Sequence, residues 1–128
     1  MKHQTSSFET SNKVIAQIPV SQLDQILEER QFTLIDVRSP EGIDSQGNIP
    51  GAFNIPLDTI ENALQDPDHE HHSILTEGSP LLFCCTGGVM SYMAAIKVSE
   101  YGIMDVHNLE GGHSGWMKYK EQSSMISA

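Results

Sequence analysis

Two adjacent cysteines, Cys84 and Cys85, close the apolar run Leu81-Leu82-Phe83 and are followed by Thr86-Gly87-Gly88-Val89-Met90-Ser91. A thiol at the end of a buried strand, then a glycine-rich turn, then a helix is an arrangement that can do chemistry. In open α/β sheets the crevice beyond the strand ends is where ligands bind. Glycines let successive backbone N–H groups turn toward one point, and the helix N-terminus adds its positive end. A thiol held there is expected to ionise more readily than usual, and the thiolate is the nucleophile. Neighbouring cysteines staple no loop, so a disulfide framework is excluded, and a vicinal disulfide would need strained geometry. Cys84, inside the apolar run, reads as a buried structural residue. Cys85, at the strand exit, reads as the reactive one.

Such a loop needs a sheet to carry it, and the rest of the chain supplies strand and helix signals in alternation. Lys13 to Val20 contains Val14, Ile15, Ile18 and Val20, a short strand candidate. Ser21 with Asp24 three residues on resembles a helix start, with Leu23, Ile26 and Leu27 on one face. Gln31 to Asp36 is an apolar run ending in an acid, as expected of a buried parallel strand whose C-terminal end reaches a site. Arg38 to Gly51, with two prolines and three glycines, reads as a loop-rich connection. Ala52 to Ile55 is a short strand. Pro56 and the acids Asp58 and Glu61 then suit a helix start, and residues 65–79 a polar connection. Ser91 to Tyr101 is expected to be helical, stopped by Gly102. Val106 to Leu109 is a further strand, and Gly111-Gly112 opens a last helix carrying Trp116. The alternation predicts an α/β domain with a mainly parallel sheet and helices on both faces. It occupies residues 13–121, between a flexible tail at 1–12 and a C-terminal tail at 122–128.

Composition narrows the classes of function. The 128 residues, 38% hydrophobic and 19% charged, suit one globular domain with a real core. A formal net charge of −10 repels phosphate backbones and anionic membranes, which argues against nucleic acid and membrane as partners. The N-terminal sequence has no apolar run of signal-peptide length, and no stretch approaches the roughly 18 apolar residues of a membrane span. A cytoplasmic protein is the expectation. The sequence sets no oligomeric state.

Four segments in order resemble the rhodanese-like superfamily. They are Asp36-Val37-Arg38, then Gly47-Asn48-Ile49-Pro50-Gly51-Ala52, then Cys85 to Ser91, then Asn108-Leu109-Glu110-Gly111-Gly112 with Trp116. The likeness runs from about residue 13 to 120. In that family the reactive cysteine has Gly at +3, Ser at +6, Ala at +9, a helix-stopping Gly at +17 and another Gly at +26. Counted from Cys85 these are Gly88, Ser91, Ala94, Gly102 and Gly111; counted from Cys84 only Gly87 fits. The resemblance implies a three-layer domain around a central, mainly parallel five-stranded sheet. It implies a sulfurtransferase or persulfide carrier in which Cys85 takes up sulfane sulfur from a small donor or a persulfide-bearing protein. In that reading the loop Thr86, Gly87, Gly88, Val89, Met90 and Ser91 binds substrate, and its amides stabilise the sulfur. Asp36 and Arg38 brace the loop as a buried scaffold. Neither cofactor nor metal is called for.

Three departures from the family pattern bear on function. The basic residue common at +5 is Met90, and nothing from Thr86 to Ser91 is Lys or Arg. Thiosulfate, a dianion, therefore loses a charge-assisted partner and is expected to be a weak donor. The usual His before Ile-Pro-Gly is Asn48, which cannot take up a proton at neutral pH. The connection before the cysteine strand carries Asp66, Asp68, His69, Glu70, His71 and His72, plausible zinc or nickel ligands but more simply a solvated loop. His113 is expected at the surface or at a helix start. Two other readings compete with the enzyme: a non-catalytic interaction module on the same fold, and a Cys-x5-Arg phosphatase. The phosphatase needs an arginine where Ser91 or Met90 stands.

Overall fold

A computed structural model describes residues 15–127. The expected tail at 1–12 and the start of the first strand candidate lie outside the described residues. Five strands form one sheet: β1 (Ala16–Pro19), β2 (Thr33–Asp36), β3 (Phe53–Asn54), β4 (Leu81–Cys84) and β5 (Val106–Glu110). The spatial order is β1-β5-β4-β2-β3, and every pairing is parallel. Among the described residues six α-helices accompany it: α1 (Leu23–Glu29), α2 (Pro40–Gln46), α3 (Ile60–Gln65), α4 (His72–Thr76), α5 (Val89–Glu100) and α6 (Gly112–Ser127). Parallel neighbours need crossovers, and helices supply them, so both faces of the sheet are covered.

The alternation of side chains along a strand divides the core in two. Leu81, Phe83 and Cys85 join Ile35, Val37, Ile60, Leu64, Ala94, Ala95 and Val98 on the face covered by α3 and α5. Leu82 and Cys84 join Leu23, Ile26, Leu34, Leu109 and Trp116 on the opposite face, under α1 and α6. The α5 stripe of Ala94, Ala95 and Val98 is wholly buried. Its two alanines let the helix lie close to β4. Each fully buried Leu or Ile in these layers contributes about 1.5–3 kcal/mol of transfer free energy. On the second face, the Trp116 indole N–H donates to Asp24 at 3.0 Å, tying α6 to α1.

Local departures from the sequence reading have local causes. The segment after Arg38 is not only loop: Pro40–Gln46 is a helix. Ser39 caps it by accepting from the Gly42 N–H at 3.1 Å, and Pro40 occupies the first turn, where its missing N–H costs nothing. Ser21 does not cap the helix after β1; it lies within a 3-10 turn, Val20–Gln22, and α1 begins at Leu23 with no side-chain cap. The polar connection at 65–79 holds the short α4. The last helix continues past residue 121, where the sequence reading ended the domain, to Ser127. Among the described residues, no helix is long and apolar enough to cross a membrane.

Candidate active site

The C-terminal ends of β2 and β4 lie side by side, with Asp36 opposite Cys84 in register. The chain leaves β4 through Cys85, turns at Thr86-Gly87-Gly88 and enters α5 at Val89. Gly88 makes the turn possible. Its φ of +98° suits glycine, and a Cβ there would lie 3.1 Å from the Gly111 nitrogen and 3.2 Å from the Leu109 carbonyl oxygen. The loop is thus seated directly on the end of β5.

Within this turn the Cys85 sulfur is the focus. It accepts from the Gly88 N–H at 3.1 Å and the Ser91 N–H at 3.3 Å, and lies 3.2 Å from the Ser91 hydroxyl. Burial pushes the Cys85 thiol up. Hydrogen bonds from the Ser91 hydroxyl, where it turns to the sulfur, and from the Ser91, Gly88 and Gly87 amides oppose this, and the result lies below the ordinary thiol value of 9.0. Of the six loop residues expected to hold the sulfur, the direct hydrogen bonds come from Gly88 and Ser91. Thr86 instead donates its hydroxyl to Gln46 at 2.9 Å. Val89 and Met90 face outward, 71% and 43% exposed, and form an apolar rim. Cys85 itself is 2% exposed. The sulfur is therefore more enclosed than a strand-exit position suggests, yet it is met by N–H groups as well as by aliphatic neighbours.

Cys84 has the opposite surroundings. It is fully buried on the other face, and its sulfur has a weak contact with the Ile35 carbonyl at 3.6 Å. Burial, reinforced by the Asp36 charge, pushes its thiol well above the ordinary range. Both cysteines are free thiols.

Asp36 and Arg38 pair with each other. The guanidinium grips the carboxylate through Nε and Nη2, the latter at 2.6 Å, and both residues are buried. The Asp36 hydrogen bond, partly offset by burial, holds Arg38 even more firmly charged than usual. Arg38 also donates to the Gly47 carbonyl at 3.0 Å and to Gln46 at 3.2 Å. Gln46 accepts in turn from Thr86, so a continuous chain runs from the buried ion pair to the first loop residue. Sequence reasoning missed Gln46, because it sits in the unrecognised helix α2.

It also missed two supports from the end of the chain. Asn108 donates to the Gly88 carbonyl at 3.0 Å and to Gln17 at 2.9 Å, and accepts from the Ser91 hydroxyl. At the head of α6, the His113 and Ser114 N–H groups donate to the Cys85 and Thr86 carbonyls at 2.8 and 2.9 Å. Gly112 allows that approach: a Cβ there would lie 2.5 Å from the Cys85 carbonyl oxygen. His113 is at a helix start as expected but buried rather than superficial, and burial lowers its pKa. Asn48 is exposed and takes no part in these bonds. In the His-rich connection, His72 bonds the Ala63 carbonyl and the His71 N–H donates to His69. Among the described residues, no group of three or more His, Cys, Asp or Glu is placed to hold a metal ion.

Comparison with known proteins fits this arrangement. The family model for the rhodanese-like domain matches residues 19–119. A mouse protein, thiosulfate sulfurtransferase/rhodanese-like domain-containing protein 3, is 33% identical over 77% of this chain, which spans 66% of the mouse protein's length. Thiosulfate sulfurtransferase GlpE of Shewanella oneidensis is 30% identical over 77% of this chain and 89% of its own. A solved structure from Rhodopseudomonas palustris, of unknown function and described as a possible tyrosine phosphatase, superposes with a TM-score of 0.77. It is 25% identical, covering 88% of this chain and 86% of its own.

Proposed function

The chain belongs to the rhodanese-like domain family, whose members here include proteins named as sulfurtransferases, and from that premise we propose that it moves sulfane sulfur as a persulfide on Cys85. The observation that carries the reading is the pair of N–H groups, from Gly88 and Ser91, directed at the Cys85 sulfur from the start of α5. They stabilise negative charge on that sulfur, as thiolate or as product. In the first step the thiolate attacks the terminal sulfur of a donor RS–SH. The donor S–S bond breaks, RS⁻ leaves, and Cys85–S–SH forms. In the second step an acceptor thiolate attacks the outer sulfur, takes it with its proton, and returns Cys85 as thiolate. One transfer is split into two, with no net oxidation.

The donor follows from the rim. No loop side chain is cationic, and Arg38 is committed to Asp36. The depression beside Met90 is lined by Val37, Ser39, Pro56, Leu57 and Asp58, whose only charged side chain is an acid. Such a rim favours an uncharged or mono-anionic donor, or a partner protein's persulfide, over thiosulfate. A reducing cytoplasmic compartment would keep both thiols free.

The likeness to a possible tyrosine phosphatase favours a second reading, which the site does not support. The position six beyond Cys85 is Ser91, turned inward to the sulfur and Asn108, and no guanidinium is available to clamp a phosphoryl group.

Intact-mass measurement after exposure to thiosulfate, mercaptopyruvate and a small persulfide tests the proposal. The native protein and Cys84→Ser should each gain about 32 Da, most readily from the persulfide and least from thiosulfate, and Cys85→Ser should gain nothing. Label on Cys84, or no loading from any donor with an alkylation midpoint at the ordinary thiol value, would overturn it in favour of a non-catalytic module.

A further inference from the structure

The Ser91 hydroxyl has one proton and two claimants. Its oxygen lies 3.2 Å from the Cys85 sulfur and 2.5 Å from Asn108 Oδ1. The orientation of the Asn108 amide is not free. The Gly88 carbonyl can only accept, so the Asn108 NH2 group must face it, and the second hydrogen of that group goes to Gln17 on β1. Oδ1 is thereby fixed toward Ser91 as an acceptor. While Cys85 is a neutral thiol the three groups form a chain: the thiol donates to Ser91, and Ser91 donates to Asn108. When Cys85 ionises, the hydroxyl can serve the sulfur only by rotating away from Asn108. That leaves a buried amide oxygen without its bond.

We propose that Asn108 is a positioning residue that competes with the Cys85 sulfur for the Ser91 proton, so that the ionised sulfur rests chiefly on the Gly88 and Ser91 amides. The proposal rests on the reading of Cys85 as the nucleophile. Its functional sense is that attacking power falls as a thiolate is stabilised more strongly. Restraining the hydroxyl keeps the resting sulfur ionisable but not over-held. The same hydroxyl remains available when charge on the sulfur needs a further donor.

Other charges around the sulfur do not supply the effect. On β4 the neighbour is Cys84, held neutral by burial. At the end of β2 stands Asp36, and just beyond it Arg38, paired with each other. On α6 His113 is disfavoured as a cation by burial and by Arg38. On α5 Tyr92 is bonded to the Ile15 N–H, and Lys97 and Glu100 lie in the last turns. On β5 the His107 ring contacts the Leu81 carbonyl.

The test is the pH dependence of Cys85 alkylation by iodoacetamide, assigned to the residue by fragment mass, in four proteins: native, Ser91→Ala, Asn108→Ala and the double variant. Alkylation needs no sulfur donor, so the result stands even if no donor loads the protein. Asn108→Ala should move the midpoint down by about one pH unit, because the hydroxyl is released to the sulfur. Ser91→Ala should move it by less than about half a unit, and adding Ser91→Ala to Asn108→Ala should cancel the downward movement. A role for Asn108 in holding the loop alone would raise the midpoint with or without Ser91. That outcome, or an equal fall in both backgrounds, overturns the proposal. If Asn108→Ala fails to fold, Ser91→Ala decides by itself: a rise of about one unit or more would mean that the proton already belongs to the sulfur.

Discussion

Cys84 and Cys85 are the same residue, one peptide apart, and the protein drives them in opposite directions. Cys84 faces the layer under α1 and α6, packs in an apolar cluster with one long contact to a carbonyl, and is held as a thiol. Cys85 faces the α5 side, where a turn of backbone presents N–H groups to its sulfur. Exposure differs little between them, 0% against 2%, though Cys84 lies deeper in the core, so loss of solvent contact alone does not distinguish them. What distinguishes them is whether polar hydrogens are aimed at the buried atom. The period of two along a strand puts the two side chains on opposite faces, and the turn after β4 serves only one of these.

The largest expected effect is on reactivity. In the folded protein at pH 8, iodoacetamide should alkylate Cys85 at least about a hundredfold faster than Cys84, because the Cys85 thiol ionises below the ordinary value while Cys84 is held well above it. The Cys85 rate should reach half its maximum below the ordinary value of 9.0, its lowered pKa placing thiolate at lower pH. Denaturant should bring the two rates together. Comparable rates in the native state would dissolve the contrast.

Removing one partner of the buried ion pair between Arg38 and Asp36 comes next. Arg38→Met leaves Asp36 as a buried charge without its cation and should cost about 3–5 kcal/mol in denaturant unfolding. Arg38 also opposes the upward push of Asp36 on Cys84. The variant should therefore make Cys84 still harder to ionise and widen the gap between the cysteines. A loss below about 1 kcal/mol would place the pair among those of little consequence.

The smallest effect concerns the tether of the loop. Thr86→Val removes the exposed hydrogen bond to Gln46 and should cost less than about 1 kcal/mol. It should leave the alkylation midpoint of Cys85 nearly in place, since Gly88 and Ser91 keep their N–H groups. A midpoint raised toward 9.0 would show that the chain from Arg38 through Gln46 sets the geometry around the sulfur.

Much of this was legible in the residues. Leu81 to Cys84 and the glycines after it marked β4 and its turn, features that local propensity controls, while the resemblance to the rhodanese-like pattern, counted to Ser91 and Gly111, pointed to Cys85 rather than its neighbour. Helix α2 was hidden because Gly42, Gly47 and Pro50 outweighed the start signal in Ser39-Pro40. Gln46 went unrecognised with it. Asn108 and His113 read as motif and helix start, not as partners of the loop. Their contacts with Ser91, Gly88 and Cys85 depend on β5 lying beside β4, which is set by the packing of the whole sheet.

The order of the strands bears on how the protein is made. Translation delivers Cys85 before Asn108 seats the Gly88 turn and before the head of α6 caps the loop carbonyls. A growing chain halted within α5 would carry two ordinary cysteines, neither favoured as an anion by its surroundings. On the proposed reading of Cys85, reactive sulfur would arise only once β5 and the head of α6 have emerged and docked.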